Sequence, residues 1–150
     1  MYNFRRANLE DEDLLVNLRL EFMRYIKTID SSEVFRSNTK EYFVNHLNTD
    51  DLIAYLAFEN ECAVSVCIMC IYNRIPLRSN LSGKHGLLLN VYTVESHRRK
   101  GLSYELISRI INDAKNIGVD KIFLEYSDKG YPLYKKLGFK ELEKQMVLSL

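Results

Sequence analysis

The sequence has no apolar stretch of about 18 residues or more, the length that a membrane-spanning helix requires. We expect no apolar leader either, because the charged residues Arg5 and Arg6 follow Met1 closely. Its 21 basic residues nearly balance 20 acidic ones, and the net charge of +1 gives no general attraction to nucleic acid or to an anionic membrane. We therefore expect neither a membrane nor a nucleic-acid partner, and any polyanion site must be local.

Cysteine is scarce, and three cysteines are an odd number in a chain without a leader, which indicates a reduced, cytoplasmic setting. Cys67 and Cys70 have the CxxC spacing, but they lie in an apolar run typical of a strand, where positions three apart face opposite sides of the sheet. We expect core packing rather than redox chemistry. His46, His85 and His97 are scattered without ligand spacing, so no metal site is expected.

Four helices are predicted from apolar residues that recur at spacings of three and four. The first begins near residues 8–11, and the second is expected to be capped by Thr39. The clearest apolar stripe runs over residues 102–114 and ends at 116–118, and a short helix follows at 131–137.

Strands are predicted at residues 2–6, 53–58, 62–72, 86–94, 122–126 and 139–150. The nearly continuous apolar run 86–94 belongs in the sheet centre, and a helix joins it to 122–126, so this crossover makes the two strands parallel. The last strand is expected to be antiparallel and near an edge. The pattern predicts one α/β (α+β) domain over residues 1–150, with helices flanking a mixed, mostly antiparallel sheet.

A basic turn separates the central strand from the clearest helix. Its residues are Arg98, Arg99, Lys100, Gly101, Leu102 and Ser103. A helix start binds phosphate through unpaired N–H groups and a partial positive charge, Gly101 lets the backbone approach a ligand, and the basic side chains add charge-assisted donors. A merely solvated turn is an equal alternative on this stretch alone. Neither a G-x-G-x-x-G fingerprint nor a P-loop is present, which disfavours nucleotide-type sites.

Two segments resemble motifs of the GNAT superfamily of N-acetyltransferases. Segment 94–106 is similar to its acetyl-CoA-binding motif, with Arg98 and Gly101 at the matching positions and Ser103 where glycine or alanine is usual. Segment 130–139, in which Tyr134 precedes a Leu-Gly-Phe turn, resembles a later motif of the superfamily. Its Gly-x-Pro-Leu-Tyr form is similar to a bacterial subgroup of uncharacterised members.

The resemblance implies a GNAT-like domain in which the central parallel strands splay apart to admit acetyl-CoA. It implies that the peptide groups of Tyr92 and Val94 pair with the pantetheine arm and that the basic turn holds the pyrophosphate. The cofactor-binding residues it implies are Tyr92, Thr93, Val94, Arg98, Arg99, Lys100, Gly101, Leu102 and Ser103. The acceptor is then an amine of a small molecule or a peptide, no metal takes part, and a homodimer is a common assembly.

The resemblance also implies catalytic roles for Tyr134 and Asn90. A phenol with a pKa near 10 keeps its proton at pH 7, so Tyr134 is the candidate general acid for the departing thiolate; otherwise its ring simply packs in the fold. Strand alternation predicts that Leu88, Asn90, Tyr92 and Val94 face one way. Asn90 then contacts the acceptor or a water, or is a buried polar residue bonded to backbone. Glu21, Glu125 and Tyr126 stay open as candidates for the base or for an acceptor contact.

Two other functions remain as alternatives. A non-catalytic acyl-CoA sensor or regulatory module would bind the cofactor without an acceptor, and the lack of an evident carboxylate on the central strand is compatible with it. Nucleic-acid binding through residues 98–100 is disfavoured by the net charge of +1 and by the single short basic run. The loop 76–85 is either a wall of the acceptor site or a plain solvent loop.

Overall fold

The structure, a computed structural model, describes residues 1–26 and 33–150. Its strands are β1 (Tyr2–Arg6), β2 (Leu52–Glu59), β3 (Cys62–Asn73), β4 (Lys84–Thr93) and β5 (Lys121–Phe123), and its α-helices are α1 (Glu12–Tyr25), α2 (Glu33–His46), α3 (Leu102–Asn116) and α4 (Tyr131–Lys136). Within the described ranges, no helix combines the length and the apolar character needed to cross a membrane.

The entry to α1 is fixed by a capping box. The Asn8 side chain accepts a hydrogen bond from the Glu10 N–H at 2.9 Å, and the Asp11 carboxylate accepts one from the Asn8 N–H at 2.9 Å. Asp11 also forms an ion pair with Arg5 at 2.7 Å, which ties the helix start to β1. The expected start at residues 8–11 is confirmed.

The second helix begins earlier than predicted. Because α2 starts at Glu33, Thr39 lies in its interior and does not cap it. The Thr39 hydroxyl donates to the Phe35 carbonyl one turn back at 2.8 Å, the bond by which an interior threonine satisfies its polar group. Residues 27–32, between α1 and α2, lie outside the described residues.

The five strands form one sheet in the order β1-β2-β3-β4-β5. Neighbours are antiparallel except β4 and β5, which are parallel, so the predicted mixed α/β domain is confirmed. One face packs against α1 and α2, through buried residues such as Leu15, Leu56 and Ile68, and the other packs against α3, through Met69, Ile107 and similar residues. Cys67 is buried on the α3 face whereas Cys70 contacts the opposite core, which confirms that the two thiols diverge.

The C-terminal segment departs from the prediction, because residues 139–150 form no strand. Pairing between β4 and β5 ends at Phe123, so the ladder on which a further strand could add is only three residues long. Lys144 has a φ of 68°, in the left-handed region, and this interrupts an extended run. Met146, Val147 and Leu148 are consequently exposed.

Candidate active site

A β-bulge in β4 reorganises the centre of the sheet. Val66 pairs with Tyr92, but Ile68 pairs with Leu89, so β4 carries one extra residue between these pairs. Asn90 lies at this point with a φ of 49°. A bulge of this kind turns consecutive side chains to the same face, and Leu89 and Asn90 both line a cavity on the α1 and α2 side.

The bulge overturns the expected alternation along β4. Leu88 packs in the core on the α3 side, whereas Tyr92 packs in the core on the α1 side. The prediction that Leu88, Asn90 and Tyr92 face one way is therefore wrong. The extra residue shifts the side-chain period by one, so residues before and after it point to opposite faces.

The parallel pair opens directly after its third residue. His85, Gly86 and Leu87 pair with Lys121, Ile122 and Phe123, and β4 then continues to Thr93 without a partner strand on this edge from residues 1–26 or 33–150. The structure thus contains a parallel pair that parts at its carboxyl end, on the side from which the chain enters α3. This leaves an unpaired stretch of strand edge inside the fold.

The peptide groups that face the open edge are those of Thr93, one position away from the predicted Tyr92 and Val94. The Val94 N–H donates to the Val64 carbonyl at 3.0 Å, and Tyr92 is paired with Val66. Bonded and non-bonded pairs alternate in an antiparallel ladder, so the peptide groups of Tyr92 and the Val94 N–H point toward β3, and those of Thr93 point to the open edge. The Val94 carbonyl accepts the His97 N–H at 2.9 Å. The expected pairing of a ligand with the Val94 N–H is wrong because that donor is already used.

The basic turn places free donors at the end of this edge. Arg99 and Gly101 both have left-handed backbones, with φ of 62° and 81°, and α3 begins at the next residue. The first backbone bond of the helix is that of the Glu105 N–H to the Gly101 carbonyl at 3.1 Å. The N–H groups of Gly101, Leu102 and Ser103 therefore have no acceptor among the residues that the structure describes.

Side chains of the turn lock it against β4. Arg98 Nε donates to the Thr93 carbonyl at 3.0 Å, and its guanidinium lies 4.3 Å from the centre of the Tyr25 ring. The Ser103 hydroxyl lies 3.0 Å from that of Thr93, which in turn lies 2.7 Å from the Ser65 hydroxyl. Arg98 and Ser103 thus position the turn, whereas Arg99 and Lys100 are exposed and face solvent.

Tyr134 lies on α4 and packs on the α3 side of the sheet. Its ring meets that of Phe139 edge to face at 5.9 Å, and burial raises the pKa of its hydroxyl to about 12, so the phenol is protonated at neutral pH. A Cβ at Gly130 would approach the Tyr134 ring to 2.9 Å, which shows how closely the helix start fits it. Tyr134 and Asn90 line two different cavities and are not in contact.

Two of the candidate bases are engaged with other side chains. Glu21 accepts a hydrogen bond from the Tyr92 hydroxyl at 2.8 Å, and burial followed by this bond raises the pKa of Tyr92 to about 12. The Tyr126 hydroxyl donates to Glu141 at 3.2 Å, and Glu125 is exposed.

The sequence patterns missed Arg19, on α1. Its Nη1 donates to Asn90 Oδ1 at 3.2 Å, and the guanidinium lines the same cavity of about 350 Å³ as Asn90. A signal was present: Arg19 follows Leu15 by four positions and precedes Phe22 by three, so it lies on the apolar stripe of the helix. A charged residue on a core-facing stripe indicates a site rather than a solvated face.

Comparison with known proteins decides the family. Residues 14–139 match the acetyltransferase (GNAT) family. The chain belongs to this family. Membership agrees with the geometry above, and it makes this GNAT chain an acetyltransferase that uses acetyl-CoA.

Several known proteins are similar to this GNAT chain, each over a different share of its length. The crystal structure of a predicted acetyltransferase with acetyl-CoA from Clostridium acetobutylicum is 29% identical, with a TM-score of 0.90 over 99% of this chain and 96% of that one. An N-alpha-acetyltransferase of Saccharolobus solfataricus is 26% identical over 86% of this chain and 81% of its own. A glucosamine 6-phosphate N-acetyltransferase of Trypanosoma brucei brucei is 37% identical over 43% of this chain, and the match spans only 44% of that enzyme.

Proposed function

We propose that this chain transfers the acetyl group of acetyl-CoA to a primary amine of a small molecule or peptide. The observation that carries the proposal is the continuous path from the open edge of β4 to the free N–H groups at the start of α3. A strand edge and a helix N-terminus are the two backbone features that bind an extended amide-bearing arm and a phosphate group. Here the strand edge and the helix start are adjacent, and no side chain blocks the approach at Gly101, where an added Cβ would have no other atom within 4 Å.

The donor would be held mainly by backbone. The pyrophosphate fits the N–H groups of Gly101, Leu102 and Ser103, with the exposed side chains of Arg99 and Lys100 adding charge. The pantetheine arm fits the Thr93 peptide N–H on the open edge. Arg98 and the Ser103 hydroxyl act indirectly, because both are bonded to Thr93 and hold the turn in place.

Tyr134 is the residue that we assign to the leaving group. The amine nitrogen forms a bond to the thioester carbonyl carbon, the carbon–sulfur bond breaks, the sulfur gains a proton and the nitrogen loses one. With a pKa of about 12, the Tyr134 hydroxyl is protonated and donates a hydrogen bond to the developing thiolate. A free thiol has a pKa near 8.5, so complete proton transfer costs about 5 kcal/mol and requires the tyrosine to be reprotonated as the amine loses its proton.

The acceptor is proposed to approach from the α1 and α2 side. The cavity there is about 350 Å³, near the lower end of the range for small-molecule sites. The names of the relatives include an amino-sugar phosphate acetyltransferase and an N-alpha-acetyltransferase, both of which act on amines. The small volume of the cavity favours a small molecule over a protein terminus.

The test combines donor binding with turnover. Calorimetry should show binding of acetyl-CoA, and thiol release should depend on an amine from a screened panel. Tyr134→Phe should lower kcat by about 100-fold or more, the range for loss of one positioned proton donor, and leave the Kd of acetyl-CoA unchanged. Tyr131→Phe, one turn earlier on α4, is the matched control and should keep wild-type turnover. Binding without turnover on any amine would favour the non-catalytic sensor instead.

A further inference from the structure

Arg19 is a cation in a partly buried cavity, and it has no ion-pair partner among the described residues. It extends from α1 toward β4, and burial lowers the pKa of its guanidinium. No carboxylate of the described residues forms an ion pair with it, although Glu21 is two positions away on the same helix and is engaged with Tyr92. Removing a charge from water without a partner is costly, so an anion bound in this cavity would offset that cost.

The neighbouring groups cannot supply that negative charge. Cys70 lies beside Arg19, but burial raises the pKa of its thiol, so it is neutral at pH 7, and it accepts a hydrogen bond from the Tyr42 hydroxyl at 3.3 Å. Asn90 contributes one amide oxygen, which Arg19 already uses at 3.2 Å. The polar contacts around the guanidinium are therefore all neutral in the described part of the chain.

Asn90 adds a second unsatisfied donor to the same cavity. The residue is 4% exposed, and its Nδ2 has no hydrogen-bond partner in the structure. Asn90 lines the cavity with Oδ1 turned to Arg19, Nδ2 is buried beside it without an acceptor, and the remaining walls are mostly apolar, including Phe43, Ile68 and Leu89. Buried amide donors are almost always paired in native proteins, so an acceptor atom is missing from this site.

We infer that the acceptor is a small primary amine that also carries a carboxylate or phosphate, bound by the Arg19 guanidinium at the end of the cavity that Asn90 lines. The planar guanidinium presents parallel donors that match either anion. Asn90 lies three positions before Thr93 on β4, so an anion held here leaves the amine end of a short molecule directed along the strand toward the donor. The inference rests on the proposed acetyl transfer and names the substrate class of that site.

Matched pairs of amines test the inference. The carboxylate arm compares ω-amino acids such as β-alanine with alkylamines of equal length, and the phosphate arm compares O-phosphoethanolamine with ethanolamine. In at least one arm, kcat/KM should be about 10- to 100-fold higher for the anionic member, as expected for a charge-assisted pair. Arg19→Gln should reduce this ratio to within about threefold of unity without changing the Kd of acetyl-CoA.

Two further variants separate recognition from folding. Arg36→Gln, which changes an exposed arginine on α2, is the matched control and should preserve the preference. Arg19→Lys keeps the charge without the fork and should retain part of the preference, so a folded variant is available even if Arg19→Gln is unstable. Equal turnover of both members of every pair, or a preference that survives in Arg19→Gln, would overturn the inference.

The outcomes also distinguish this inference from the proposed function. Efficient turnover of neutral amines alone would leave acetyl transfer intact and refute the anion site. Failure to bind acetyl-CoA would refute the proposed function. Should acetyl-CoA bind without turnover, calorimetric titration of β-alanine and O-phosphoethanolamine into the CoA-bound protein decides the question, because the inference requires binding that Arg19→Gln abolishes.

Discussion

Substitution of Gly130 by alanine tests the role of Tyr134 without touching the reacting group. A Cβ at position 130 would lie 2.9 Å from Tyr134 Cε2, whereas ordinary contacts of a Cβ begin near 3.4 Å. The ring must therefore move by about 0.5 Å, because α4 holds both residues and Phe139 packs on its other side. Gly130 has a φ of −82°, so alanine introduces no backbone strain.

The expected effect is mainly on turnover. Alanine reduces the conformational entropy of the unfolded chain, which stabilises by about 0.4–1 kcal/mol, and overpacking costs about 1–3 kcal/mol, so the two effects partly cancel and the free energy of unfolding should fall by about 2–3 kcal/mol at most. A misplacement of about 1 Å at a reacting group costs about 100-fold, so half of that distance predicts a fall in kcat of about tenfold for Gly130→Ala. Thiol-release kinetics and thermal denaturation measure the two quantities.

A double-mutant cycle shows whether the displaced hydroxyl is the cause. In Tyr134→Phe the ring still contacts position 130, but no hydroxyl remains to be misplaced, so Gly130→Ala should change kcat by less than about twofold in that background. Ser127→Ala is the control, because it removes the hydroxyl that accepts the Gly130 N–H at 3.2 Å and adds no atom beside the Tyr134 ring. Wild-type kcat in Gly130→Ala, or a full tenfold further loss in the double variant, would refute the assignment of Tyr134.

Three other predictions concern stability, thiol reactivity and the turn. Asp11→Asn should lower the free energy of unfolding by about 1 kcal/mol at pH 7. Because its bond to Arg5 lowers the pKa of Asp11, this difference is present above the unfolded pKa of about 3.9 and disappears as the pH falls through the pKa of the folded state. Urea denaturation at several pH values measures the difference. Cys62, which is exposed, should react rapidly with an aromatic disulfide, and Cys67, which is buried with a raised pKa, only on unfolding; a fast phase that persists in Cys62→Ser would contradict this. Thr93→Val removes the hydroxyl that links β3 to the first turn of α3, and should cost about 1–2 kcal/mol and weaken acetyl-CoA binding; an unchanged melting temperature and Kd would show that the link is dispensable.

The elements with strong periodicity were predictable from the sequence. The apolar stripe at 102–114 corresponds to α3 at Leu102–Asn116, and the crossover rule correctly made β4 and β5 parallel. These features depend on local spacing and on chain chirality, both of which are visible in one sequence. The basic turn could be located for the same reason, because its glycine and its place between strand and helix are local properties.

The predictions that were wrong concern features that depend on tertiary structure. Thr39 is a good cap by residue type, but neighbouring packing extends α2 beyond it. The strand expected at 139–150 needed a pairing edge, and β5 provides only three paired residues. The bulge was not predicted because alternation with a period of two does not reveal one inserted residue. Asparagine within an apolar strand was a clue, since asparagine tolerates the left-handed region better than most residues.

The bulge explains why donor and acceptor recognition are separable in this chain. Without the extra residue, continued alternation from Leu88 would place Asn90 on the α3 face, within a closely packed apolar core and far from Arg19. With it, Asn90 faces Arg19 while Val91 packs toward α3, and the peptide groups beyond it reach the open edge. The proposed donor site is then made of backbone that the family motif marks, whereas the proposed acceptor site is made of side chains on α1, α2 and the bulge. Substitutions at Arg19 should accordingly alter acceptor choice with the donor site intact, because the two sites share a strand but not a side chain.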